Sequence, residues 1–171
     1  RSNAWQCKEI EMPFVAQRDG FIVSPYFDHL SFLLEPSWRA PARDLVGVMV
    51  KIADSNEGRV STRIVQKGLS PRDRTRIDEG EALCEEILTR FGIEDGGTVR
   101  GTLNAGHPGG TVPLTAGDVV TMHPRRLPEN VYVADASLLP RSIGNPPILT
   151  IAAVAKRVAR TCVDRVLTPA G

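Results

Sequence analysis

"NVYVADASLLPRSIGNPPILTIAAVAKRVAR", residues 130–160, reads as a strand, a turn and a long helix in one run. NVYVADA is rich in Val and Ala with a central Tyr, the composition of a buried strand. Pro140, Gly144, Pro146 and Pro147 then fill a gap in which neither strand nor helix can continue. Pro147 suits the first helical position, where its missing N–H costs nothing. Beyond it Ile148, Ile151, Ala152, Ala155, Val158, Ala159 and Cys162 recur at three- and four-residue spacing. That spacing predicts a helix over 147–167 whose small inner residues allow close packing.

Upstream, "SPRDRTRIDEGEALCEEILTRFG" (70–92) has the marks of a second helix. Ser70 is a natural N-cap, Pro71 fits the first turn, and Asp73 approximates a capping box. Ile77, Leu83, Cys84, Ile87, Leu88 and Phe91 share a face, and Gly92 ends the run. Gly80 costs about 1 kcal/mol relative to Ala inside a helix, so a close approach of another element is expected there. Residues 21–35 suggest strand–loop–strand, with Pro25 pointing to an edge strand or a loop. Residues 45–53, LVGVMVKIA, alternate so that Val46, Val48 and Val50 share one face, and STRIVQKG (61–68) is expected to pair back after the DSNEGRV turn. The pattern predicts an α+β fold, a mostly antiparallel sheet with helices packed on one side. No internal repeat and no low-complexity segment interrupts it.

The chain has 171 residues, enough for one compact domain with a sizeable core. Its 21 basic and 20 acidic residues give a formal net charge of +1 with no basic stripe, so nothing in the charge favours nucleic acid as a partner. No apolar run reaches the roughly 20 residues of a membrane span. Cys7, Cys84 and Cys162 are odd in number, far apart and in no CxxC pair, which reads as reduced thiols in a cytoplasmic protein. Residues 1–4, RSNA, read as a tag remnant, which places the natural sequence from about Trp5 onward within a longer protein.

Two stretches carry candidate chemistry. The gap before the final helix aims a helix N-terminus, with unbonded N–H groups and the positive end of its dipole, at whatever lies in front of it. It reads as an anion site, or as a plain strand–loop–helix corner in which Asp135 caps a turn. Gly106-His107-Pro108-Gly109-Gly110-Thr111 places a histidine in a backbone-restricted, uncrowded setting. That suits a catalytic imidazole open to substrate, although a lone histidine is also often structural. His29 and His123 have no such setting. The three histidines are widely spaced and join no Cys or carboxylate cluster, so no metal site is expected.

The order GHPGGT, a spacer, NVYVADASLLP and GNPPILTIAAVAKRVA resembles the C-terminal part of the glucose–methanol–choline (GMC) oxidoreductases. These are FAD-dependent enzymes that oxidise alcohols, and the likeness is closer to the bacterial, cholesterol-oxidase-like branch. It is strongest over about 98–160 and looser upstream through DLVGVMVKIAD, GRV and KGLSPRD. The resemblance implies a substrate-domain-like sheet and helix over 5–100 and a catalytic, flavin-facing segment over 101–171. It implies that His107 takes the substrate hydroxyl proton while hydride leaves carbon for the flavin. Asp135 and Ala136 would lie near FAD, and Pro146 and Pro147 would open the helix whose N-terminus faces the flavin pyrimidine edge. A small-molecule alcohol is the implied substrate.

Two departures matter. The family's second polar active-site residue, His or Asn, falls by spacing on Pro146, and Asn145 stands one residue earlier as its candidate replacement. No GxGxxG follows a strand, so this chain carries no cradle for the AMP half of FAD. The expectation is a C-terminal portion that works with an N-terminal FAD-binding portion of the same protein. Alone it would be inactive and would not retain FAD. The alternative is a non-catalytic remnant or binding module of the same fold that has lost the flavin.

Overall fold

The computed structural model describes residues 14–26, 33, 45–55, 57–94 and 96–167. They form a mixed α+β structure with two antiparallel sheets and two long helices. The chain divides into two compact units, one of residues 1–53 and 71–104, the other of 54–70 and 105–171. The tag-like N-terminus, Trp5, Cys7 and His29 lie outside the described residues.

In the first unit β1 (Ala16–Arg18), β2 (Phe21–Pro25) and β3 (Val48–Ile52) form an antiparallel sheet in that order. The positive φ of Gly20 (+80°) turns the chain between β1 and β2, a region that strains any residue with a Cβ. Val23 faces Val50, and Phe21 faces Ile52. The expected face of alternating valines is present but displaced along the chain. Val48, Val50 and Ile52 pack on the core, while Val46 precedes the strand and is exposed. Pro25 ends the central strand rather than lying on an edge. It is the last paired residue, opposite Val48, and the next bond comes from the Tyr26 amide to the Gly47 carbonyl. A terminal position tolerates the missing donor, which the sequence pattern alone did not indicate.

Helix α1 (Pro71–Arg90) lies against β2 and β3. Its inner face, with Gly80 and Cys84 buried and Leu83 and Ile87 partly so, packs on Phe21, Val23 and the β3 side chains. The close approach expected at Gly80 is there: an added Cβ would stand 2.1 Å from Val50 Cγ2 and 2.9 Å from its Cβ. Phe91, expected on the inner face, is half exposed, because the helix has ended and Gly92 takes a positive φ of 94°. The helix thus closes with a left-handed glycine. Arg76 donates to the Ala53 carbonyl, and Arg100 reaches Glu81 and Glu85 on the exposed side of α1.

The second unit contains a short hairpin, β4 (Gly58–Val60) with β5 (Val65–Lys67). Here STRIVQKG does pair back, but with GRV and not with residues 45–53, whose partner is β2. The turn is local: Ser61 Oγ accepts from the amides of Arg63 and Ile64. That side-chain turn closes the hairpin within a few residues and leaves β3 to a distant strand. Helix α2 (Ile148–Leu167) helps form a separate core of Met122, Leu138 and Val158, flanked by Leu114, Tyr132, Val133 and Val154. The buried strand expected over 130–136 is not formed. Residues 131–134 join no ladder, and at Val131 the amide is bonded to the Pro128 carbonyl and the carbonyl is taken by His123.

Candidate functional site

Every candidate residue lies in the second unit, and its geometry is built around one short turn. Asp135 is extended (φ −139°, ψ −168°) and caps the 3-10 turn Ala136–Leu138, its Oδ1 accepting from the Ser137 amide at 2.7 Å. Leu138 is fully buried in the core and anchors the turn. The Asp135 side chain is therefore used as a turn cap. The Ser137 hydroxyl and then its amide hold the Asp135 carboxyl below its ordinary range, against a smaller opposing effect of burial.

The histidine loop is stitched to this turn. The amides of Gly110, Val112 and Leu114 donate to the carbonyls of Ala136, Ser137 and Leu138 at 3.2, 3.0 and 3.0 Å. Alternate amides thus meet successive carbonyls, so residues 110–114, bent at Thr111 and Val112, lie along a tight 3-10 turn. Gly109 enters this contact so closely that a Cβ would stand 2.7 Å from the Ala136 oxygen. That oxygen already accepts from Gly110 and from Leu139. Gly110 takes a positive φ of 77°. His107, two residues before Gly109, is exposed.

The third element is the entry to α2. Gly144 is buried with φ +75°, Asn145 is half buried, Pro146 is exposed and Pro147 is buried. The first intrahelical bond runs from the Ile151 amide to the Pro147 carbonyl at 2.8 Å. The amides of Ile148, Leu149 and Thr150 precede it and are the usual unbonded donors of a helix start. Ile148 and Leu149 are 71% and 84% exposed. The inner face of α2 is therefore narrower than the sequence suggests. Ile151, Val154, Ala155, Val158 and Cys162 turn inward, whereas Ile148, Ala152 and Ala159 do not.

A polar scaffold that sequence reasoning missed supports these segments. Asp118, 2% exposed, accepts at Oδ2 from the Thr115 hydroxyl (2.6 Å) and amide (2.9 Å), and at Oδ1 from the Arg125 amide (3.4 Å). The Thr115 hydroxyl above all, then the two amides and the Arg125 charge, hold its carboxyl below the ordinary range. His123 is buried, edge-on to Tyr132, with Nε2 3.2 Å from the Pro128 carbonyl and 3.0 Å from that of Val131. Two carbonyl acceptors require the Nε2–H tautomer. The Thr-x-x-Asp spacing at 115–118 was a legible local signal; the His123 contacts carry no sequence signature. Among the described residues no group of three or more His, Cys, Asp or Glu could hold a metal ion. No described helix is long and apolar enough to cross a membrane.

The chain is 33% identical over 119 residues to an uncharacterized protein of Methanocaldococcus jannaschii. The match covers 69% of this chain, and the chain spans 30% of the length of that relative. No protein-family model and no solved structure matches.

Proposed function

We propose that this chain is the C-terminal, substrate-side part of a longer FAD-dependent oxidoreductase that oxidises an alcohol CH–OH group. The observation that carries the reading is the backbone ladder between residues 110–114 and the Ala136–Leu138 turn. It joins the two motif-bearing stretches, which are far apart in sequence, into one local structure. His107, an exposed residue three positions before the first amide of that ladder, is the candidate general base.

The donor set fits one end of the cofactor. Amides at the start of α2 would favour negative charge on the flavin pyrimidine edge by about 0.3–1 kcal/mol. Pro147 fixes that helix entry, and Pro146, Asp135 and Ala136 are the other residues assigned to the cofactor. The other end has no counterpart: both sheets among the described residues are antiparallel, with no βαβ unit to cradle a pyrophosphate. An N-terminal FAD-binding portion of the same polypeptide is the partner this requires. When bound, the flavin supplies a hydride acceptor. His107 would take the hydroxyl proton, and the Asn145 amide would orient the hydroxyl. Unpaired Cys84 and Cys162 suit a reducing, cytoplasmic setting.

The test uses the full-length protein. His107→Ala should slow alcohol-dependent flavin reduction by about 10²–10⁴-fold while FAD stays bound, the usual scale for a general base. Asn145→Ala should cost less. A full-length protein that binds no flavin, or whose flavin no alcohol reduces, would instead be the non-catalytic remnant.

A further inference from the structure

We propose that Gly109 and Arg126 are positioning residues for His107. The proposal rests on the reading above only for calling that position catalytic. The coupling itself is a property of this chain.

At Gly109 the limit is steric. The group a Cβ would meet, the Ala136 carbonyl at 2.7 Å, is backbone, and it is held from two sides by Gly110 and Leu139. It also belongs to a turn capped by Asp135 and rooted by buried Leu138. It cannot swing away as a flexible side chain could. Adding one methyl must therefore lift residues 109–114 off the turn, and His107 moves with them.

Arg126 acts on the same segment. Thr111 lies between the bonded amides of Gly110 and Val112, and its carbonyl accepts from the Arg126 guanidinium at 2.8 Å. Arg126 is itself placed by a fixed loop, since Asp118 holds the Arg125 amide and His123 holds the carbonyls of Pro128 and Val131. Residues 110–114 are thus gripped by the Asp135 turn and by this loop. Glycine at 109 is required by the first contact and a long cationic donor at 126 by the second.

The experiment is solution NMR on this chain. In Gly109→Ala, exchange of the Gly110, Val112 and Leu114 amides should speed up by about tenfold or more, the equivalent of one or two net backbone hydrogen bonds. The ring resonances of His107 should move, while those of buried His123 stay in place. Gly68→Ala, at a glycine with nothing within 4 Å of an added Cβ, should change none of these. Arg126→Gln should move His107 in the same direction by less, and Arg126→Lys should restore much of it. This pair decides the matter if Gly109→Ala does not fold. Unchanged His107 resonances in the folded variants would overturn the proposal. Altered His107 resonances in a full-length protein with no alcohol-dependent flavin reduction would overturn the oxidoreductase reading and leave the positioning intact.

Discussion

Cys84 and Asp118 are both buried, and burial pushes both pKa values up, but their partners leave the two shifted in opposite directions. For the Cys84 thiol, desolvation first and then the charges of Glu81 and Glu85 push its pKa up to about 11. It should stay a neutral thiol at pH 8, and alkylation by iodoacetamide should await unfolding. Rapid native-state labelling, located by mass spectrometry, would contradict this. At Asp118 the Thr115 and Arg125 donors outweigh desolvation and lower its pKa. A carboxyl depressed in the folded state binds fewer protons there than when unfolded. Its stabilisation is therefore complete above the ordinary value of 3.8 and disappears as pH falls through the lower folded value. Asp135 shares that sign. Thermal unfolding followed between pH 6 and 2 should show stability falling mainly below about pH 4. Asp118→Asn should flatten that fall and lower stability at pH 7, because the amide cannot accept all the same donors.

Among the elements, α1 shows how tertiary contact reverses a helix propensity. Gly80→Ala gains about 1 kcal/mol of intrinsic propensity. Against it stands overpacking of about 1–3 kcal/mol, since Val50 is β-branched and stiff and its Cγ2 would lie 2.1 Å from the new Cβ. The clash should win, leaving the variant less stable by up to about 2 kcal/mol in urea unfolding. A more stable Gly80→Ala would mean that β3 moves away at little cost. Arg100 is a contrast. It meets Glu81 and Glu85 at 3.2 and 3.4 Å but is 74% exposed, so Arg100→Ala should cost under about 1 kcal/mol.

For the whole molecule, the proposed reading separates the substrate side from the phosphate-binding side of a flavin enzyme. Purified alone, the chain should be colourless. A yellow preparation with stoichiometric FAD would show that the residues here hold the cofactor without a partner. Leu149, at the start of α2, is 84% exposed, and Leu149→Glu should change the stability of this chain by no more than about 0.5 kcal/mol. A larger loss in thermal unfolding would show that the helix start is packed within this chain.

What the sequence alone determined is what neighbours along the chain decide. The three-and-four spacing, Pro71 and Pro147 at the helix starts and Gly92 at a helix end placed α1 and α2 to within a residue or two. Alternation placed the inner face of β3. These signals are legible because a helix turn and a strand pleat are local geometry. Tertiary structure decided the rest. It paired β3 with β2 rather than with residues 61–68, and it left 130–134 without a ladder although they have a strand's composition. It buried His123 on two carbonyls, exposed His107, and closed residues 110–114 onto Ala136–Leu138. A backbone amide has the same donor chemistry at every position, so the sequence cannot say which distant carbonyl it will meet. That choice belongs to the packing of Leu138, Met122 and Val158, which brings the two segments within bonding distance.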